Sequence, residues 1–448
     1  MSIDVSDAKV RASADFIRDV TIEDCGINEL QTFGTKIKRA DQPETIITSL
    51  EDLITFLDAL STDPLPESTI DPTSSSSSTK KLSEASSARD VFRRNGGDTL
   101  LIHVMSVWIL NEDVQEIGCR AMAVIMKGSE SAQKSMFLRG GLYCVIDCIQ
   151  QWRESERVLR VALRALRYAA FDGDNRIAIV DAKVIELVME LCKQYDSRTR
   201  VLAASWSVLS NVSFGSIDVK ERVARAGALA AMVNSIPGSS EDPEYLVEVY
   251  SGIRNLTFGS RGNQQLVYDL DCMPQLVEPL QKHCKHYDVL DSGLSAMCNV
   301  LLDHPGNVIA FSASGGVQWM LECLETMELA PSTDSDSAKS LNWSVAENGL
   351  FILANCARVC IVHDTQIARA MVEWHGVSVC NRYLNHLEAP VPVIQRALVL
   401  LSALTSFIEG KDQAVREKVV ASLVGCVRRN SSNLALLKPC LASLTTVV

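Results

Sequence analysis

The chain lacks any apolar run approaching the ~18–20 residues that a membrane-spanning helix needs. It also lacks a basic-then-apolar opening, since Met1-Ser2-Ile3-Asp4-Val5-Ser6-Asp7 is polar and acidic. A soluble, unsecreted protein is expected. Its 14 cysteines contain no CxxC pair and sit among aliphatic neighbours. They read as reduced, buried, small apolar side chains of a cytoplasmic protein, one that also enters the nucleus. Positive charge is in deficit, with 43 Lys and Arg against 55 Asp and Glu and a net charge of -12. That excludes general binding to nucleic acid or anionic membrane, while leaving room for a local basic groove.

The usual signatures of catalysis are missing as well. Phe258-Gly259-Ser260-Arg261-Gly262-Asn263 lacks the Gly-Lys-Ser/Thr ending of a phosphate-binding loop, and neither GxSxG nor HExxH occurs. His283-Cys284-Lys285-His286, with Cys272 upstream, lies at one helix end and lacks the paired short spacings of a zinc site. Cys356, Cys360 and His363 share a helical face, but Cys144 and Cys148 repeat that cysteine spacing without a histidine, which points to packing. No enzyme activity, metal or cofactor is expected. Strand-like alternation is sustained nowhere.

What the chain does have is a phrase stated twice. Ser207-Val208-Leu209-Ser210-Asn211-Val212-Ser213-Phe214-Gly215 returns as Ser251-Gly252-Ile253-Arg254-Asn255-Leu256-Thr257-Phe258-Gly259. The same frame holds Tyr168 and Phe171 upstream, and Asn299 and Asn355 downstream. From Tyr168 the intervals are 43, 44, 44 and 56 residues. Only the last is irregular, and it contains a polar insert, residues 328–340, read as a solvated loop carrying Asp334 and Asp336. The period falls in the ~40–47 range of three-helix solenoid repeats.

From Arg89 onward each repeat reads as short helix, tight turn, helix, turn, longer helix. The tight turn recurs as Asn95-Gly96-Gly97, Arg139-Gly140-Gly141, Asp181-Ala182-Lys183, Ala226-Gly227-Ala228, Leu270-Asp271-Cys272, Ser314-Gly315-Gly316 and His375-Gly376-Val377. Two of the seven lack glycine. The helices are apolar on more than one side, as stacked neighbours require. The expected fold is an all-α right-handed solenoid of about eight three-helix repeats over residues 89–448, with 411–448 as the closing repeat.

Residues 1–70 form an extension that carries most of the negative charge and is partly disordered. Within it, 9–20 reads as a brief helix and 43–60 as a stronger one, with Ile46, Ile47, Leu50, Leu53, Ile54, Leu57 and Leu60 at helical spacing. This stripe either caps the solenoid end or regulates a partner groove. Residues 71–88, with five consecutive serines at 74–78, form a flexible tether.

The glycine turn, the three-helix grammar and the asparagine near the end of the third helix resemble the armadillo-repeat family over roughly residues 89–448. The resemblance implies a concave groove lined by third helices that binds an extended segment of another protein. It also implies that Asn211, Asn255, Asn299 and Asn355 hold the ligand's backbone. An amide offers both donor and acceptor, the complement of a peptide group, although each can instead bond the neighbouring helix. The nuclear-import adaptors of that family place a tryptophan one turn before the asparagine. Here Ser207, Ser251, Ser295 and Phe351 stand there, and Trp206 lies about 140° away. That subgroup is excluded.

Arg157, Arg160, Arg164 and Tyr168 follow one helical ridge, with Arg167 adjacent and Arg200 in the next repeat. The equivalent positions further on are Asp288, Asp291 and Glu347, so the groove is expected to grade from basic to acidic. An acidic or phosphorylated partner segment suits the arginines. The function expected is a non-catalytic protein-binding scaffold or adaptor. The alternatives are a structural subunit that uses the convex face or solenoid ends, and a chaperone-like or catalytic protein.

Overall fold

The computed structural model describes residues 35–37, 40, 42–60, 89–94, 96–327, 336–430 and 433–447. The expected helix at 9–20, the tether at 71–88 and most of the insert lie outside them. The chain divides into two compact units, Met1–Val219 and Lys220–Val448. Each is built from three-helix repeats, and among the described residues there is no strand.

In the first unit the third helices are Glu112–Met126, Glu156–Ala169 and Thr199–Val212, each packed against the next. The Pro43–Leu60 helix packs on the first of them, in the place a preceding third helix would occupy. Its Ile46, Leu50, Leu53, Ile54 and Leu57 are buried, so the apolar stripe read from the sequence is covered by the first repeat. In the second unit Pro243–Thr257, Tyr287–Leu301, Asp336–His363, Val391–Leu404 and Leu434–Val447 succeed one another in the same way. First helices stack on first and second on second, for example Pro305–Ala313 on Arg261–Asp269 and Gly376–Asn385 on Gly316–Thr326. This is a helical-repeat solenoid fold, in which each layer needs its neighbours to hide its apolar flanks.

The turn between first and second helices separates two demands that the sequence had merged into one. A left-handed residue precedes the second helix in each of the eight repeats: Gly96, Gly140, Lys183, Gly227, Gly315, His375 and Lys418 stand directly before it, and Asp271 stands one residue earlier, ahead of Cys272. Lys183, at φ 59°, and Asp271, at φ 46°, fill the turns that lack glycine and accept the strain. The following glycine answers to space instead. A β-carbon on Gly141 would lie 2.6 Å from the Met136 carbonyl oxygen. In His375-Gly376 the histidine takes the left-handed turn, and the glycine lets the Met371 carbonyl approach.

The insert differs from expectation. Residues 336–340 are helical and open the long Asp336–His363 helix, so the expected solvated loop does not extend over them. A 22-residue stretch of that helix, Asn342–His363, has the length and apolarity of a membrane span, yet two-thirds of its most apolar window is buried inside the protein. It is the core helix of its repeat, which continuous burial on several sides explains.

Replacing Gly141 with alanine should lower stability by about 1–3 kcal/mol, because the obstacle is backbone. Lys183→Gly should be neutral or stabilising by up to about 1 kcal/mol, since it relieves a left-handed residue. Urea midpoints followed by circular dichroism distinguish the two. Equal losses in both would contradict this division of roles.

Candidate protein-binding face

The repeated phrase turns out to encode how a third helix ends. Gly215 and Gly259 leave the helices with φ of 81° and 72°, one residue after Phe214 and Phe258. Those rings are 64% and 65% exposed, yet each meets a cation from a first helix. Arg176 lies 5.7 Å from the Phe214 centroid and Lys220 Nζ 5.0 Å from that of Phe258. Lys220 Nζ also donates to the Phe258 carbonyl at 2.6 Å. Arg261 serves the Leu302 and Asp303 carbonyls at 3.0 Å, and Arg89 the Lys127 carbonyl at 2.7 Å. A cation at a helix C-terminus satisfies carbonyls that have no intrahelical partner and complements the helix dipole.

The asparagines act at the same helix ends, across the boundary between repeats. Asn211 Nδ2 donates to the Arg167 carbonyl at 3.2 Å, and Asn299 Nδ2 to the Arg254 carbonyl at 3.0 Å. Both side chains remain half-exposed, as does Asn255. One donor is used by the clasp, whereas an amide offers two donors and two acceptor sites.

Asn355 departs from the row. Its Nδ2 donates to the Leu301 carbonyl at 2.8 Å, while its Oδ1 accepts from the Asp303 backbone at 3.2 Å and from Arg358 at 3.0 Å. The acceptor lies beyond the aligned Asn299 rather than just before it. Asn355 is 5% exposed and engaged at both ends, so it ties repeats together and is withdrawn from the ligand-holding set. Ser207 is buried too and presents no hydroxyl to a partner. Ser251 and Ser295 are half-buried, and Ser295 Oγ accepts from Asn348 Nδ2 at 3.0 Å. Trp206 is fully buried, as its angular offset implied.

On the Glu156–Ala169 ridge the arginines have separate fates. Arg157 pairs across repeats with Asp113 at 2.5 Å and Glu112 at 3.5 Å, and that bond with Asp113 holds its guanidinium charged. Arg160 is half-buried and Arg200 exposed, and no described carboxylate pairs with either. Arg164 is exposed, Arg167 and Tyr168 are half-buried, and all three have contacts of their own. The Tyr168 ring also lies 6.1 Å from that of Phe171.

The second unit's ridge is mixed in charge, not simply acidic as expected. Asp291 is bonded by Ser344 Oγ and lies 3.4 Å from Asn348 Nδ2, with Arg254 exerting an opposing charge. Burial nevertheless raises the Asp291 pKa above the ordinary carboxylate value. The Arg396 guanidinium lies 4.6 Å from the Phe351 ring centroid. Sequence reasoning missed Asn348 and Arg396, because their significance comes from the adjacent helix and not from the repeat phrase.

A second row of amides was also missed. Gln133, Asn175, Asn263, Gln264 and Asn307, all on first helices, are buried and donate to third-helix carbonyls, as in Asn307 Nδ2 to Val300 O at 3.0 Å. A side-chain amide at the third or fourth position of several first helices was the available signal. Among the described residues no three His, Cys, Asp or Glu side chains converge on a metal-sized space. Burial pushes the thiols upward, Cys360 to about 11 and Cys144 to about 12.

No known family profile matches the chain, and no curated protein sequence matches it. Solved structures do. An engineered protein superposes with TM-score 0.69 at 20% identity, covering 94% of this chain and 99% of its own. A chain from a structure concerning a conserved phosphorylation switch in the interaction between cadherin and β-catenin superposes with TM-score 0.64 at 16% identity, covering 99% and 96%. At such identities the likeness is one of fold, a helical-repeat solenoid.

Two measurements follow from these environments. Asp291 has a raised folded pKa, so its contribution favours folding below the unfolded value of about 3.9 and is lost as pH rises through the folded value. Asp291→Asn should therefore exceed the parent in stability at pH 7, and the gap should close toward pH 4. A gap that widens on acidification would contradict this. Cys284 is the one exposed cysteine among those described. Reaction of the native protein with a disulfide reagent at pH 8 should lose one fast equivalent in Cys284→Ser and none in Cys360→Ser.

Proposed function

We propose that the chain is a non-catalytic scaffold of the armadillo type, working in the cytoplasm and the nucleus, whose third-helix faces hold an extended segment of another protein. The carrying observation is the behaviour of Asn211 and Asn299: each clasps the preceding repeat with one donor and keeps its side chain half-exposed on the third-helix layer. Rigidly held amides at a regular repeat can register a backbone without reading its side chains. The likeness to a chain from the cadherin and β-catenin system supports the reading.

At the first unit the segment carries acidic or phosphorylated residues. Arg160 and Arg200 hold charges that no described carboxylate neutralises, and guanidinium forks match carboxylate and phosphate oxygens. Replacing both Arg160 and Arg164 with glutamate should abolish capture of such partners, since each charged hydrogen bond is worth about 1.5–3 kcal/mol. Pull-down with the intact protein provides the test, and unchanged capture would contradict this assignment. Alanine at Asn211, Asn255 and Asn299 tests the scaffold reading more broadly, because partners that depend on the amide row should be lost together.

A second reading, a structural subunit contacting through other faces, is favoured by Leu138, Tyr143 and Ile177. They are 89%, 64% and 63% exposed on first and second helices, away from the asparagines. Retention of all partners by the triple asparagine variant would favour it.

A further inference from the structure

Arg396 and Phe351 come from adjacent third helices of the second unit, Val391–Leu404 and Asp336–His363. Neither the repeat phrase nor the basic ridge of the first unit includes them as a pair. The guanidinium stands over the ring at 4.6 Å from its centroid, and both residues are half-buried. Stacking fixes the plane of a guanidinium and covers a face, while its donors lie around the edge. No described carboxylate pairs with Arg396. This contrasts with Arg358, which meets Asp303, and with Arg157, which meets Asp113 and Glu112.

Orienting an arginine on an aromatic ring spends conformational freedom before any ligand arrives, which lowers the later cost of binding. The neighbouring groups narrow the ligand further. Asp291 and Glu347 act on the same Cys298 thiol as Arg396 does, so all three charges share one neighbourhood. Asp291 is occupied by Ser344 and Asn348, whereas Glu347 lies one helical turn before Phe351 with no described cation paired to it. A doubly charged phosphate would meet this negative field at greater cost than a singly charged carboxylate.

We infer that Arg396, held on Phe351, is an anchoring subsite for a carboxylate side chain, Asp or Glu, of the segment bound along the second unit. This rests on the scaffold reading and adds a specific residue class to it, at a place separate from Arg160 and Arg164. Asn348 donates to Ser295 Oγ at 3.0 Å and lies 3.4 Å from the Asp291 carboxylate, which is thus engaged by Ser344 and Asn348.

The test pans a random-peptide display library on the intact protein, then measures synthetic versions of the recovered peptides by fluorescence anisotropy. Peptides that depend on the second unit should contain an acidic residue and bind Arg396→Gln at least about tenfold more weakly. Changing that acidic residue to its amide should cost as much against the parent and almost nothing against Arg396→Gln, a coupling that general loss of structure would not produce. Phe351→Leu, which keeps an apolar support but removes the aromatic face, should show a smaller loss. Equal binding to parent and Arg396→Gln would overturn the subsite, as would the absence of coupling. A phosphoserine version binding more tightly than the carboxylate would overturn the choice of ligand. If the peptides lose binding to the triple asparagine variant but not to Arg396→Gln, the scaffold reading survives and this inference falls. Indifference to both would remove both.

Discussion

A helix that ends inside a stack leaves its last carbonyls without intrahelical partners, and in this chain those carbonyls are where one repeat is tied to another. Asn211 reaches one from the following third helix, and Asn299 likewise reaches the Arg254 carbonyl, which also accepts from Phe258 N. Lys220 and Arg261 reach them from the first helix of the same repeat, and Asn263 and Asn307 from the first helix that follows. Burial of such carbonyls without these donors would cost about 1–3 kcal/mol each. The apolar layers supply most of the adhesion, and that attraction has no direction of its own. Hydrogen bonds at defined carbonyls fix the register in which those layers meet.

That requirement also explains why the candidate binding residues are periodic. An asparagine placed to clasp a neighbour necessarily recurs once per repeat and necessarily stands beside the third-helix surface. On the proposed reading, the part of the amide that the clasp leaves is what a ligand would use. Where both ends of the amide are engaged and the side chain is buried, as at Asn355, it is not presented to a ligand. On that proposal, structure and recognition are two uses of one side chain, and exposure determines which uses remain. The fixed cations follow the same logic, since Arg176 and Lys220 both close a helix end and steady an otherwise exposed ring.

The all-helical repeat was legible because it depends on periodicity, and periodicity survives in a single chain. Spacing alone placed Asn211, Asn255 and Asn299 near the ends of third helices, and Trp206, set aside by its angle on the helix, is buried. Spacing failed where the decisive neighbour lies on another helix. Arg157 carries the same ridge position as its companions, yet Asp113 and Glu112 take its charge. Ser207 aligns with Ser251 and Ser295 but is buried. The glycine turn misled for a related reason. A left-handed backbone and a close approach of neighbouring chain both select glycine, and Lys183 shows that only the second strictly needs it.

The central claim is that partners are held by the third-helix faces. Hydrogen exchange of the intact protein, with and without a peptide recovered by display, tests it most directly. The account predicts slowed exchange concentrated in Glu156–Ala169, Thr199–Val212, Pro243–Thr257 and Tyr287–Leu301. Protection confined to first and second helices, around Leu138, Tyr143 and Ile177, would contradict it.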